Sequence, residues 1–77
     1  SSTRVYVARL AGCAVFDPLG DRVGRVRDVV VSYRSTLSPV VVGLTVEIPG
    51  RKRVFLSINR VTSIRPGQIL TTGLINI

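Results

Sequence analysis

Apolar and polar residues alternate over residues 40–48, so that five apolar side chains fall on one side of the chain. These five are Val40, Val42, Leu44, Val46 and Ile48. A period of two with β-branched residues is typical of a strand that buries one face. Pro49 and Gly50 then predict a turn, because proline fixes φ and glycine accepts a positive φ. Basic residues 51–53 would cover the tip, and residues 54–58 would return as the partner strand.

Other short apolar segments along the chain predict further strands. They cover residues 4–10, 14–16, 22–33, 61–64 and 68–70, and residues 58–60 fit a short 3₁₀ turn. Longer helical periodicity is missing from the sequence. Many short strands punctuated by glycine and proline predict an all-β barrel or sandwich. Phe16 and Phe55 are expected to fill its core.

The stretch from residue 16 to residue 31, FDPLGDRVGRVRDVVV, has two glycines that suggest either a phosphate loop or a tight corner. A phosphate loop needs a Lys-Ser/Thr pair after the second glycine and a following helix, and neither occurs here. Asp17, Pro18 and Gly20 instead have the chemistry of a β-turn. At Gly24 the apolar residues of this strand change from odd to even positions, and a glycine at such a change is typical of a bulge or a barrel bend.

Charge adds a candidate binding surface. The chain has 77 residues, which fits one domain, and its net charge is +7. A basic interaction surface is predicted at Arg22, Arg25, Arg27, Arg51, Lys52 and Arg53. Such a surface favours acidic partners, although an ordinary solvated surface explains the charge as well.

The sequence offers little catalytic chemistry. It has no histidine and one cysteine, so zinc sites, a paired nucleophile and an internal disulfide are not expected. We predict no catalytic residue, no metal and no cofactor. Cys13 is expected to be buried, and Asp28 is expected to form a surface ion pair with Arg25 or Arg27.

The order of the motifs resembles the PRC-barrel family, known from the photosynthetic reaction-centre H subunit and the ribosome maturation factor RimM. The resemblance rests on the Leu-x-Gly, Asp-x-x-Gly and Gly-x-Val-x-Asp series across residues 10–28, with later matches to residue 64. It implies a small PRC-type β-barrel of about six short strands that acts as an adaptor. Residues 9–12, 24–31 and 60–64 are similar to a bacterial subgroup in which this barrel precedes a domain related to MgtE-type magnesium transporters, often with CBS domains.

The expected function is therefore a non-catalytic adaptor or self-association module. Residues 1–77 would form a single domain excised from a longer cytoplasmic protein, which could be attached to a membrane through its other parts but not by this domain. The partners would be a second copy or neighbouring domains. The predicted association surface comprises Val41, Leu74, Ile75 and Ile77. RNA or ribosome binding through the basic surface is the alternative. It is disfavoured because only Tyr6, Tyr33, Phe16 and Phe55 are available for base stacking, and Phe16 and Phe55 are expected to fill the core.

Overall fold

Six strands and one short 3₁₀ turn make up the computed structural model, which describes residues 10–33 and 39–73. The strands are β1 (Ala14–Phe16), β2 (Arg22–Ser32), β3 (Val40–Ile48), β4 (Lys52–Ser57), β5 (Val61–Arg65) and β6 (Gln68–Thr71), and the 3₁₀ turn is Ile58–Arg60. The prediction of an all-β fold is confirmed. The predicted strand at residues 4–10 lies outside the described residues apart from Leu10, which belongs to none of the six strands.

All six strands join one sheet in the order β4-β3-β2-β1-β6-β5. Neighbouring strands are antiparallel except β1 and β6, which are parallel and bring the two ends of the described chain together. Within residues 10–33 and 39–73, β4 and β5 each pair on one side only, so they form the two edges of the sheet.

The sheet curls around one apolar core, because buried side chains from five of its strands meet in a single cluster. The cluster contains Leu10, Cys13, Val15, Val26, Leu44, Val46, Leu56 and Ile69. Val61 of β5 packs against it, so every strand contributes. The expectation that Cys13 is buried is confirmed, since its exposed fraction is 6%.

Two details of the predicted hairpin are wrong. Lys52 and Arg53 belong to β4 rather than to the tip, where the turn residues are Pro49, Gly50 and Arg51. Val40, assigned to the buried face, is 59% exposed. It is the first residue of β3 and pairs with Ser32, the last residue of β2.

Candidate functional site

The turn between β1 and β2 is held by one carboxylate. Oδ1 of Asp17 accepts hydrogen bonds from the backbone N–H groups of Leu19 and Asp21, each at 2.9 Å. The N–H of Gly20 donates to the carbonyl of Asp17 at 3.0 Å, and Gly20 has a φ of +87°. Aspartate side chains favour turns by this kind of local bonding, and a positive φ favours glycine. Asp17 and Gly20 are therefore turn residues here, with Pro18 exposed between them.

Gly24 lies where two strands approach closely. A Cβ added to it would lie 2.6 Å from the carbonyl oxygen of Glu47 and 2.7 Å from Cγ1 of Val46. The strand register also shifts on both sides of Gly24, opposite the Val15–Phe16 step of β1 and between Val26 and Asp28. Bulges of this kind bend a strand, and the glycine leaves the space that the bend requires.

A row of charged residues crosses three strands on the outer face of the sheet. Arg25 of β2, Glu47 of β3 and Arg53 of β4 occupy matching register positions. Nε of Arg27 lies 3.0 Å from Oε1 of Glu47. The predicted pairing of Asp28 with an arginine is wrong, because Oδ1 of Asp28 accepts from the N–H of Val29 and the arginine pairs with Glu47 instead.

Phe55 also lies on this outer face, so its assignment to the core is wrong. Its exposed fraction is 56%, and it occupies the register position opposite Thr45. The ring covers Gly43 of β3, since a Cβ at Gly43 would collide with ring atoms of Phe55. Phe16 is partly buried, whereas Tyr33 is 74% exposed. Phe55 and Tyr33 are therefore both exposed aromatic residues, and of the two only Phe55 was predicted to lie in the core.

The register itself could have revealed the position of Phe55. Thr45 belongs to the polar side of the alternating β3 pattern, and residues directly opposite each other in an antiparallel pair share a face. A three-residue turn at 49–51 places Ile48 opposite Lys52 and hence Thr45 opposite Phe55. The aromatic character of Phe55 predicts burial, whereas its register opposite Thr45 predicts a position on the outer face.

All six residues of the predicted basic surface are exposed. Three lie on β2 and three on the tip and first half of β4, and β3 separates the two groups in the sheet. Only Arg27 forms an ion pair with a described residue. The basic residues on the β4 side therefore have no ion pair with a carboxylate of the described residues.

The predicted association residues are only partly described. Val41 is half-buried and lies opposite Val31 near the start of β3, whereas Leu74, Ile75 and Ile77 lie outside the described residues. The last described residue, Gly73, is held beside the 3₁₀ turn, because Nη1 of Arg60 donates to its carbonyl at 3.4 Å. The same turn packs beside β3.

Two of the surface grooves lie beside features described above. One of about 840 Å³ lies by the β1–β2 turn and is lined by Leu19, Val23, Ile48 and Pro49, among others. A smaller one of about 340 Å³ follows the 3₁₀ turn and the β5 edge. Its lining consists of Ile58, Val61, Thr62, Ser63 and Ile64. Neither groove gathers the acid, base and nucleophile side chains that covalent chemistry needs.

The described residues contain neither a group of metal-ligand side chains nor a helix that could cross a membrane. Residues 10–33 and 39–73 contain no cluster of three or more histidine, cysteine, aspartate or glutamate side chains that could hold a metal ion. The same ranges contain no helix with the length and apolar character needed to cross a bilayer.

Comparison with known proteins places the chain in a family. None of the curated proteins compared is similar enough to count as a match. The family model described as the PRC-barrel domain, by contrast, matches residues 2–74, which is nearly the whole chain. The strand order and the motif series agree with that match, and the chain belongs to the PRC-barrel family.

Proposed function

We propose that this domain is a non-catalytic adaptor that associates with a second copy of itself within a larger protein. The observation that carries the proposal is the β5 edge, which pairs only with β6 among the described residues. An unpaired strand edge offers backbone N–H and C=O groups to another chain. A domain of this size also gains from burying further apolar surface, because small domains bury a smaller share of their surface than large ones.

The side chains of β5 suit contact between identical copies. From Val61 to Ile64 the strand has no charged residue, and Ile64 is 37% exposed. Charged residues on an edge oppose pairing between copies, and here the only one is Arg65 at the strand's end. The shallow groove beside the strand, lined by Ile58, Val61 and Ile64 together with Thr62 and Ser63, would give a partner strand side-chain contacts as well as backbone pairing.

The end of the described chain lies close to the same strand. Arg60 precedes β5, and its carbonyl accepts from the N–H of Thr72 at 2.9 Å. Nη1 of Arg60 also donates to the carbonyl of Gly73, the last described residue. In this proposal the apolar residues Leu74, Ile75 and Ile77 add to self-association, together with Val41 of β3.

The resemblance of residues 9–12, 24–31 and 60–64 supports a more specific setting for the adaptor. In this proposal it is a cytoplasmic module of a bacterial protein related to MgtE-type magnesium transporters with CBS domains. Determining the sequence that follows residue 77 in the native protein tests it. A magnesium-transporter-related domain is expected there, and an unrelated domain would remove the link to magnesium transport.

Sedimentation equilibrium across a concentration series tests self-association. The unmodified chain is expected to dimerise, and Ile64→Lys should raise the dimer dissociation constant at least about tenfold, because it places an unpaired charge at the edge. Deletion of residues 74–77 should weaken the dimer as well.

Thr45→Lys provides the matched control, since it adds the same charge on β3, four strands away from β5 in the sheet order. It should leave the dissociation constant within about twofold. A chain that stays monomeric at about 1 mM, the upper end of weak association, would exclude self-association as the function of this domain.

A further inference from the structure

The opposite edge of the sheet, β4, has a different chemical character. Arg53 and Phe55 are two residues apart, so they share the outer face of β4. The exposed ring of Phe55 lies over Gly43, and Arg53 lies opposite Glu47. Within residues 10–33 and 39–73, β4 pairs only with β3, and the N–H and C=O groups on its other side have no strand partner there.

The charge at this edge is left without a counter-ion. Glu47 is the acidic residue opposite Arg53, but its carboxylate is 3.0 Å from Nε of Arg27. Arg51, Lys52 and Arg53 follow one another at the start of β4, all exposed, and none forms an ion pair with a described residue. A ligand that approaches β4 from outside the sheet meets Arg53 and Phe55 on the outer face, and Arg51 and Lys52 lie close by at the turn end of the strand.

We propose that β4 binds an extended acidic segment of a partner protein, which adds to the sheet as a further strand. Strand addition uses backbone hydrogen bonds for affinity and alternate side chains for specificity. Along the added strand, an aspartate or glutamate would lie opposite Arg53, and an apolar residue two positions away would lie opposite Phe55. Opposite charges and aromatic–aliphatic pairs both stabilise such cross-strand positions. The inference rests on the proposed adaptor function and specifies the chemistry of the partner.

A second copy of this chain is a poor occupant of the β4 edge. The chain has four acidic residues: Asp17, Asp21, Asp28 and Glu47. The first two belong to the β1–β2 turn region, and the other two lie on β2 and β3, which have strands on both sides. No strand edge of this protein can therefore present an acidic residue to Arg53, and in a pair of two β4 edges the basic residues of the two copies would repel each other.

Single-stranded nucleic acid would match the arginines and one exposed ring, as in other basic aromatic surfaces. It lacks the regularly spaced backbone N–H and C=O groups of a peptide, which are what pair with a strand edge. The combination of edge, charge and ring on a single strand therefore favours a peptide, and the experiment includes an oligonucleotide as the competing ligand.

The test measures binding of three fluorescent probes by anisotropy. The first is a peptide of about eight residues built from the repeat Thr-Glu-Thr-Val, which places Glu and Val two apart on one face. The second replaces every Glu with Gln, and the third is oligo-dT of similar length. The acidic peptide is expected to bind at least about tenfold more tightly than the neutral peptide. Its addition should shift the backbone amide NMR signals of residues 52–57.

Charge-reversal variants locate the site. Arg53→Glu should weaken acidic-peptide binding at least about tenfold, and a peptide with Lys in place of Glu should recover it. Arg65→Glu makes the same charge change on β5 and should alter binding less than about threefold. The recovery by the Lys peptide also shows that the Arg53→Glu variant is folded.

Three results would overturn the proposal. They are equal binding of the acidic and neutral peptides, equal losses from Arg53→Glu and Arg65→Glu, and tighter binding of oligo-dT than of the acidic peptide. Sedimentation of the same samples separates this inference from the proposed self-association. A dimer that does not bind the peptide contradicts only the β4 inference, whereas a monomer that binds it contradicts only the β5 dimer.

Discussion

The two edges of this small sheet differ in chemistry although they belong to the same fold. The β4 edge begins with consecutive basic residues and has the exposed Phe55 ring on its outer face. The β5 edge is uncharged up to Arg65 and lies beside a groove lined by uncharged residues. Unpaired edges attract other strands in general, but their side chains decide which strands. The contrast indicates one edge suited to an acidic partner and one suited to another copy of the chain.

The largest expected effect comes from substituting Gly24, which lies on β2 in the interior of the sheet, between the two edges. Gly24→Val should destabilise the fold by about 3 kcal/mol, because the added side chain meets the backbone of β3 and a methyl group of Val46. Thermal unfolding measures this change. Both binding activities should be lost together at temperatures where the variant unfolds.

Gly20→Ala is the control for the loss of a glycine. No atom lies within 4 Å of a Cβ at this position, so its cost should be limited to about 1 kcal/mol from the positive φ. If the Gly24→Val variant melted at the same temperature as the unmodified chain, the close approach of β2 and β3 would not matter for stability.

The next largest effect is expected from salt, which should weaken binding at β4 much more than dimerisation through β5. Raising NaCl from about 50 mM to about 500 mM shortens the screening length of exposed charges. Binding of the acidic peptide at β4 should weaken by about tenfold, since it depends on unneutralised arginine and lysine. Dimerisation through β5 should change by less than about twofold or become slightly stronger. A similar salt dependence at both sites would contradict the assignment of charge to one edge.

A smaller effect should follow from removing the negative charge of Glu47. Glu47 pairs with Arg27 and lies opposite Arg53, so its carboxylate would repel an acidic ligand; Glu47→Gln should therefore raise peptide affinity about two- to threefold. Asp28→Asn is the matched control, because Asp28 bonds to the backbone N–H of Val29 rather than to an arginine. An unchanged affinity for Glu47→Gln would place the bound peptide away from the outer-face row.

The sequence predicted the strands well where the pattern is local. The alternation over residues 40–48 and the Pro49-Gly50 turn define the β3–β4 hairpin, and Asp17 with Gly20 defines the preceding turn. The structure agrees with all six of these predicted strand positions to within two residues; the largest difference is at β4, which starts at Lys52 instead of residue 54 and so includes two of the predicted tip cations.

The features that could not be predicted from the sequence depend on residues that are far apart in the chain but adjacent in the sheet. The partner of Arg27 is Glu47, which becomes adjacent only through the β2–β3 register. The exposure of Phe55 depends on its position opposite Thr45 and over Gly43. The parallel pairing of β1 with β6 joins residues more than fifty positions apart, and it is this pairing that leaves β4 and β5 as the edges. Apolar periodicity carries no information about such long-range pairs.

Residue-resolved amide NMR of the same sample under two perturbations tests most directly whether the edges act separately. Adding the acidic peptide should shift the amide signals of β4 and leave those of β5 unchanged, whereas dilution from dimer to monomer should shift the signals of β5 and leave those of β4 unchanged. Coincident shifts of both strands under either perturbation would contradict the account, because one surface would then serve both partners.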